Sequence, residues 1–475
     1  MRATLTLLLL LTLASFSTRG QERPNIIYIL ADDLGWGDLS CYGQKNFKTP
    51  NIDRLASEGL RFTSHYSGSP VCAPSRSALM TGLHSGHTYI RGNKSVEPEG
   101  QWPLPDEAVT IPEMLKSVGY TTGVFGKWGL GSPGSTGAPE NQGVDRFFGY
   151  LCQSLAHNYY PSYLWDNASK VFLRENSGDA KEEYAPQIIH KQALDFIEQN
   201  KNRPFFLFYA MITPHAELVA PEKYMSKYRG KFLPEKSYDG IDAGEPGFRE
   251  GPYASQQESH AAFAAMIDLM DEQVGTIMAK VKELGMDNNT LIIFSSDNGP
   301  HKEGGADPDY FDSNGIFKGY KRDVYEGGIR VPMIARWTGV IKPGTETNHP
   351  SAFWDVMPTF AELLNVPIKH NIDGVSFLPT LKGNKKEQKH HDYLYWEFHE
   401  QGGKRALRQG DWKLVQTNVS ANPPGKFELY NLKKDPSETT DLSAKYSEKV
   451  RELTGLMLSA RIPSPDFPFA AERNR

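Results

Sequence analysis

"NIIYILADDLGWGD", residues 25–38, is the stretch that decides the fold. After Asn25 the next five residues are all apolar β-formers or leucine, with no polar alternation. That is the pattern of a strand covered on both faces, not on one. Two adjacent acids, Asp32 and Asp33, follow almost at once. A short buried strand that runs straight into paired carboxylates predicts the centre of an open α/β sheet. In such sheets, ligands gather beyond the carboxyl ends of the strands.

Outward from that stretch the same pattern repeats. "YTTGVFG" (120–126), "PFFLFYAMI" (204–212), "TLIIFSSD" (290–297) and "IRVPMIARW" (329–337) read as strands. Between them lie helical patterns: "TPNIDRLASEG" (49–59), "IPEMLKSVG" (111–119), residues 184–200, residues 255–285 and "FWDVMPTFAELLN" (353–365). The first has Thr49 as a cap, Pro50 in the first turn and Gly59 at the stop. This alternation predicts an α/β domain with a large mixed, mostly parallel sheet sandwiched by helices. After about residue 380 the character changes. "NKKEQKHHD" (384–392) is linker-like, four short strand-like runs follow, and a last helix is expected near 445–460. These features predict a smaller C-terminal α+β lobe with an antiparallel sheet. The expected division is a leader at 1–20, a large α/β domain at 21–383 and the second lobe at 384–475.

The leader is "MRATLTLLLLLTLASFSTRG": one Arg, an apolar run from Leu5 to Phe16, then small residues. This reads as a secretory signal, too short for the ~20 apolar residues of a membrane span. The expected destination is the periplasm or the medium, with no membrane anchor after cleavage. A formal net charge of −5 offers no basic field for nucleic acid or an anionic membrane. Cys41, Cys72 and Cys152 are an odd number, so at least one is unpaired or modified. Cys41 and Cys152 could pair or could both be buried.

The polar residues after each strand are the functional signal. Asp32 and Asp33 follow the first strand, Lys127 the "GVFG" strand, His215 the "FFLFYAMI" strand, and Asp297 and Asn298 the "LIIFSS" strand. One of these alone is ordinary turn chemistry. Together they place three acids, an amide, a lysine and an imidazole along one sheet edge. The acids and the amide are hard oxygen donors, suited to Ca²⁺ or Mg²⁺. Lys321, in "FKGYKRDVYEGGIRVP", precedes another strand, with Lys318 and Arg322 near enough to compete for its role. Lysines, an arginine and a divalent cation together suit a tetrahedral oxyanion. Cys72, in "PVCAPSRSALMTG" (70–82), opens a predicted helix, with Arg76 one turn on. A thiolate there is favoured by the helix dipole. Yet calcium does not favour sulfur, and the surrounding donors call for an oxygen nucleophile.

"PVCAPSRSALMTG" resembles the signature of the type I sulfatases, built on Cys-X-Pro-X-Arg. The resemblance extends to "ADDLGWGD", "GKWGLG", "TPH", "SDNGPH", "YEGGIRVP" and "ELYNLKKDPSETTDL". It implies the alkaline phosphatase-like fold and a sulfuric ester hydrolase. It further implies that Cys72 is converted to formylglycine (3-oxoalanine) by a formylglycine-generating enzyme. The hydrated aldehyde then attacks sulfur, and its second hydroxyl expels sulfate. By the same resemblance, Asp32, Asp33, Asp297, Asn298 and residue 72 hold Ca²⁺, with Mg²⁺ as the other choice. Arg76 stabilises the diol, Lys127 and Lys321 contact sulfate, and His215 with Lys321 assists the leaving oxygen. The chain departs from the family at Gly129, where relatives carry a His that contacts the formylglycine hydroxyl. His87 and His157 are the candidates to replace it. A sulfated saccharide is the expected substrate, cleaved in exo fashion. His87, Arg91, Asn93, His157, His301, Glu397 and His399, with Gln401, are the candidate binding residues. The alternatives are a phosphatase or phosphonate-ester hydrolase of the same superfamily and a non-catalytic glycan-binding relative.

Overall fold

A computed structural model describes residues 23–472 of the chain. The predicted secretory leader lies outside the described residues. The large sheet contains β1 (Asn25–Ala31), β2 (Leu60–Tyr66), β3 (Thr121–Lys127), β4 (Arg146–Tyr150), β5 (Tyr163–Asp166), β6 (Ser169–Phe172), β7 (Phe205–Ala210), β8 (Thr290–Ser296), β9 (Arg330–Arg336), β10 (Thr345–Thr347) and β11 (Ser351–Ala352). Their order is β10-β2-β9-β8-β1-β7-β3-β4-β5-β6, with β11 pairing β2. The centre, β8-β1-β7-β3-β4, is parallel. β9 runs antiparallel to both β8 and β2, so its amino end lies at the edge where its neighbours end.

β1 is buried along its whole length, as its unbroken apolar run requires. Its alternate residues face opposite layers. Ile27 and Ile29 join one core cluster with α1 (Pro50–Ser57), and Ile26, Tyr28 and Leu30 join the other with α2 (Cys72–Thr81) and α3 (Ile111–Lys116). The first cluster also takes α4 (Ala185–Gln199), α5 (Glu222–Tyr228) and α6 (Ser259–Glu283). A short α7 (Glu326–Ile329) leads into β9, and α8 (Val356–Leu364) and α9 (Leu378–Leu381) complete the second layer. The helix expected at 111–119 stops earlier but starts as the sequence demands. Thr110 accepts from the Glu113 N–H, and the Glu113 carboxylate takes the Thr110 N–H in return. Cys41, Cys72 and Cys152 are all free thiols, so the 41–152 pairing is not made.

The second sheet is antiparallel, β12 (Leu394–Phe398), β13 (Lys404–Gln409), β14 (Trp412–Thr417) and β15 (Phe427–Asn431), with α10 (Ser447–Ser459) on its outer face. Its inner face packs Trp396, Phe398 and Val415 against Tyr66, Val71 and Ala78 beside and on helix α2. Charge is buried at the same junction. Lys413 Nζ lies 2.8 Å from Glu326 and 3.0 Å from Glu438, all three at most 1% exposed. Glu326 also pairs with Arg330 and accepts from Tyr66. The triad ties β14 to the segment that carries Lys321 into β9.

Removing one member of a buried ion pair costs about 3–5 kcal/mol, because its partners keep their desolvation penalty. Lys413→Met is therefore expected to lower the melting temperature by several degrees, measured by differential scanning calorimetry. Lys191→Met, in an exposed pair on α4, is expected to leave it unchanged. Equal melting of both variants would remove the triad from any role in docking the lobe.

Candidate active site

Six segments end at one sheet edge for topological reasons. Asp32 and Asp33 follow β1, Lys127 closes β3, Asp297 and Asn298 follow β8, and His215 lies five residues beyond β7. β2 also ends there and feeds α2, whose first residue is Cys72. Lys321 arrives from the opposite chain direction, ahead of the antiparallel β9. Adjacent residues of a strand point to opposite faces. Asp33 escapes this by taking a left-handed conformation, φ 61°, which Asp tolerates better than most residues. Both carboxylates then reach the thiol: Cys72 Sγ is 3.4 Å from Asp32 Oδ1 and 3.8 Å from Asp33 Oδ1.

Arg76 is fully buried one helical turn behind Cys72. Its Nε and Nη2 donate to Asp297 Oδ2 at 3.1 and 2.8 Å, and Nη1 donates to the Lys127 carbonyl. Its fork thus braces β3 against β8, with Asp32 only 3.6 Å away. Lys127 Nζ donates to Asp32 Oδ2 at 2.6 Å. Lys321 Nζ uses its donors on Asp33 (2.8 Å), Glu303 (2.8 Å) and the Nε2 lone pair of His215 (3.1 Å). His215 Nδ1–H is held by the Ala216 carbonyl, which leaves Nε2 as the acceptor.

The electrostatics follow from burial. Cys72 is pushed well above an ordinary thiol by burial, and the three carboxylates add to this against Lys127. It stays a protonated thiol, so the thiolate reading is not favoured. Burial and the charge of Asp32 push Asp297 up to about 7, although Arg76 pulls it down. Burial and both lysines hold His215 neutral. Burial alone would discharge Lys321, but Asp33 and Glu303 outweigh it and keep the ammonium charged. Asp32, Asp33, Cys72 and Asp297 each offer a ligand atom within 4.8 Å of the others. Asn298 donates to Asp33 and Gly299, while its buried Oδ1 has no partner. Crowded carboxylates, one forced toward protonation, and an orphaned amide oxygen fit a hard divalent cation. Four carboxylates (Asp32, Asp33, Asp297, Glu303) face four basic side chains (Arg76, Lys127, Lys321, Arg322). A divalent ion would tip that balance positive, toward an oxyanion.

Sequence reading missed Glu303, which binds Lys321 and Arg322 and receives the Tyr253 hydroxyl. Its only signal was its position two residues beyond His301. The candidate binding residues separate. His157 and His301 stack on either side of His215, at ring-centroid distances of 4.9 and 5.3 Å. His301 is saturated, taking the Glu303 N–H and facing the Pro214 carbonyl. Asn93 accepts from the Ala73 N–H beside the thiol, and with His399 it lines a cavity of about 550 Å³.

Three residues read as substrate ligands are instead internal ties. Glu397 is 0% exposed and is bound by Arg91, His399, Arg461 and Tyr395. Arg91 is spent on Glu397 and on the Thr88 and Ile462 carbonyls. His87 sits beyond the far end of α2, bound to Asp373, whose N–H is held by Gly82. His84 joins that cluster, but its Nδ1 accepts from Gly86. This leaves the proton on Nε2, 3.7 Å from Asp373. The group is a hydrogen-bonded clasp and not a set of metal lone pairs. At Gly129, φ is +73° and a Cβ would lie 2.2 Å from Gln153 Nε2. The Gln153 amide, itself unpartnered, fills the space a side chain there would need.

Comparison with known proteins agrees with this geometry. The sulfatase family profile matches residues 24–366, and that of the N-sulphoglucosamine sulphohydrolase C-terminal region matches 314–461. Human arylsulfatase A is 32% identical, over 88% of this chain and 83% of its own length. Mouse N-acetylgalactosamine-6-sulfatase is 32% identical, over 80% and 71%. The crystal structure of Ps i-CgsB in complex with k-i-k-neocarrahexaose superposes with a TM-score of 0.76 at 27% identity, covering 95% of this chain and 96% of that one. The chain belongs to the sulfatase family of the alkaline phosphatase superfamily and is a sulfuric ester hydrolase.

Cation binding should displace the Asp297 proton. Calorimetric titration of the cation-free protein with Ca²⁺ in buffers of different ionisation enthalpy is expected to show proton release well below pH 7. Release should fade above pH 7, where Asp297 is already ionised. Release that does not depend on pH would place the ion elsewhere.

Proposed function

We propose that this sulfatase removes sulfate from a sulfated saccharide in exo fashion, with Cys72 converted to formylglycine by a formylglycine-generating enzyme. Ca²⁺ is held by Asp32, Asp33, Asp297, Asn298 and residue 72. Ca²⁺ tolerates a wider range of oxygen-ligand geometries than Mg²⁺, which demands a near-ideal octahedron. The observation that carries the reading is the buried Cys72 side chain, 3.4 and 3.8 Å from two carboxylates at the centre of a ring of basic side chains. When present, formylglycine supplies an oxygen nucleophile and the ion supplies charge to polarise the sulfate.

The chain's own residues do the rest. Lys127 and Lys321 approach the site from Asp32 and Asp33 respectively, placed to bind sulfate oxygens. The Lys321 ammonium, with the His215 Nε2 lone pair 3.1 Å away, is the proton source for the leaving oxygen. A general acid matters because a sugar alkoxide leaves poorly. Arg76 keeps Asp297 and the Lys127 strand end in register. The saccharide reading rests on two supports. One is the cavity lined by Asn93, Lys94, His399 and Phe467 beside the nucleophile helix. The other is the saccharides named for the relatives. The leader places the mature protein in the periplasm or outside the cell, and we take 21–383 and 384–475 as the two domains.

The mass of the peptide carrying residue 72, from protein co-expressed with the converting enzyme, is expected to show the aldehyde. The converted protein should release sulfate from a sulfated-saccharide panel. Cys72→Ala should abolish release, and Lys321→Ala should lower kcat by about 10²–10⁴-fold. Chelation should stop turnover, and Ca²⁺ should restore it. Full activity with an unmodified thiol would sink the reading.

A further inference from the structure

One imidazole at the site has a free lone pair that the reading above does not use. His157 lies in the turn after β4, its ring 4.9 Å from that of His215 and only 9° from parallel. The Gly251 carbonyl holds its Nδ1 at 2.6 Å, so the proton sits on Nδ1 and Nε2 keeps its lone pair. Among the described residues nothing donates to that Nε2. Tyr253 closes one side of the ring, at 4.7 Å between centroids.

The ring belongs to the site. His215 Nε2 lies within 4.8 Å of Cys72 Sγ, and His157 is stacked directly on His215. Burial holds His157 neutral against the pull of its Gly251 hydrogen bond, and the charges of Lys127 and Lys321 add to the effect. The other bases around Cys72 are occupied. Asp32 is bound by Lys127, Asp33 by Lys321 and Asn298, Asp297 by Arg76, and His215 Nε2 by Lys321. His301 carries its proton on Nε2 and donates it toward Pro214. His87 is at the far end of α2. No side chain at 129 competes, because Gly129 has none.

We propose that His157 is a catalytic residue, whose Nε2 takes the proton of the residue-72 hydroxyl as sulfate departs. This rests on the formylglycine reading above. In that step the hydroxyl O–H bond breaks and its proton passes to Nε2. The O–H electron pair forms the C=O bond, the C–O bond to sulfate breaks, and sulfate leaves with the electron pair of that C–O bond. The proton then returns to solvent, which His157 reaches because it is only partly buried.

Two measurements test this. In histidine-labelled protein, nitrogen-15 NMR is expected to show His157 as the Nδ1–H tautomer, with an Nε2 signal that moves when inorganic sulfate is added. An Nε2–H tautomer, or an Nε2 signal indifferent to sulfate, overturns the proposal without any turnover being needed. In His157→Ala, the first burst of desulfated product should persist, while steady-state kcat falls by about 10²–10⁴-fold. Protein bearing one extra sulfo group should accumulate in quenched samples, and added imidazole should restore turnover. Loss of burst and steady state together, with no adduct and no rescue, would make His157 a packing residue. Failure of converted wild-type protein to release any sulfate would count instead against the saccharide sulfatase reading, and the NMR result would still judge His157.

Discussion

Three carboxylates buried within 4.8 Å of one thiol are the constraint on which the rest of the structure depends. Asp32, Asp33 and Asp297 are each at most 1% exposed. In a low dielectric such a group cannot stay ionised unless opposite charge is built around it. Arg76, Lys127 and Lys321 are that counter-charge, and each binds one acid directly. The glycine-rich loops and strand ends are arranged to bring these bases in. The same crowding that would destabilise an empty centre makes it attract a cation and then an oxyanion.

The second lobe contributes through charge rather than through the reaction. Its Lys413 holds Glu326, five residues after Lys321, while Glu438 closes the triad. Its Glu397 gathers Arg91, Arg461 and His399 at the other side of the nucleophile helix. The helix carrying Cys72 is thus fixed from above by buried ion pairs and from below by the sheet. A cavity lined by Asn93, His399 and Phe467 lies beside that helix. Rigid support of this kind suits a site whose parts come from six separate segments.

Much of this was legible in the residues. β1, β7 and β8 announced themselves as runs built on consecutive apolar residues, because strands buried on both faces have no polar side. Asp32, Lys127 and Asp297 were visible because strand ends in such a sheet converge on one edge, and Cys72 because it opens a helix within a recognisable signature. β2, with its "LRFTSHY" alternation, and the short strands from β4 to β6 were not read. Their patterns are too short or too polar to stand out from loops.

Sequence by itself determined the fold class, the edge at which function gathers and the identity of the cysteine at its centre. The first two follow from local periodicity and from chain order, and the third from the resemblance of "PVCAPSRSALMTG" to the sulfatase signature. Only the tertiary structure decided which polar residues reach that centre. Arg91, Glu397 and His157 look alike in sequence, as polar residues within two positions of an aromatic one. Glu397 and Arg91 neutralise each other inside the lobe junction, His87 is clasped by Asp373, and Glu303 is drawn in to hold Lys321. Pairing between residues hundreds of positions apart is set by which charges share one low-dielectric space, and no local pattern encodes that.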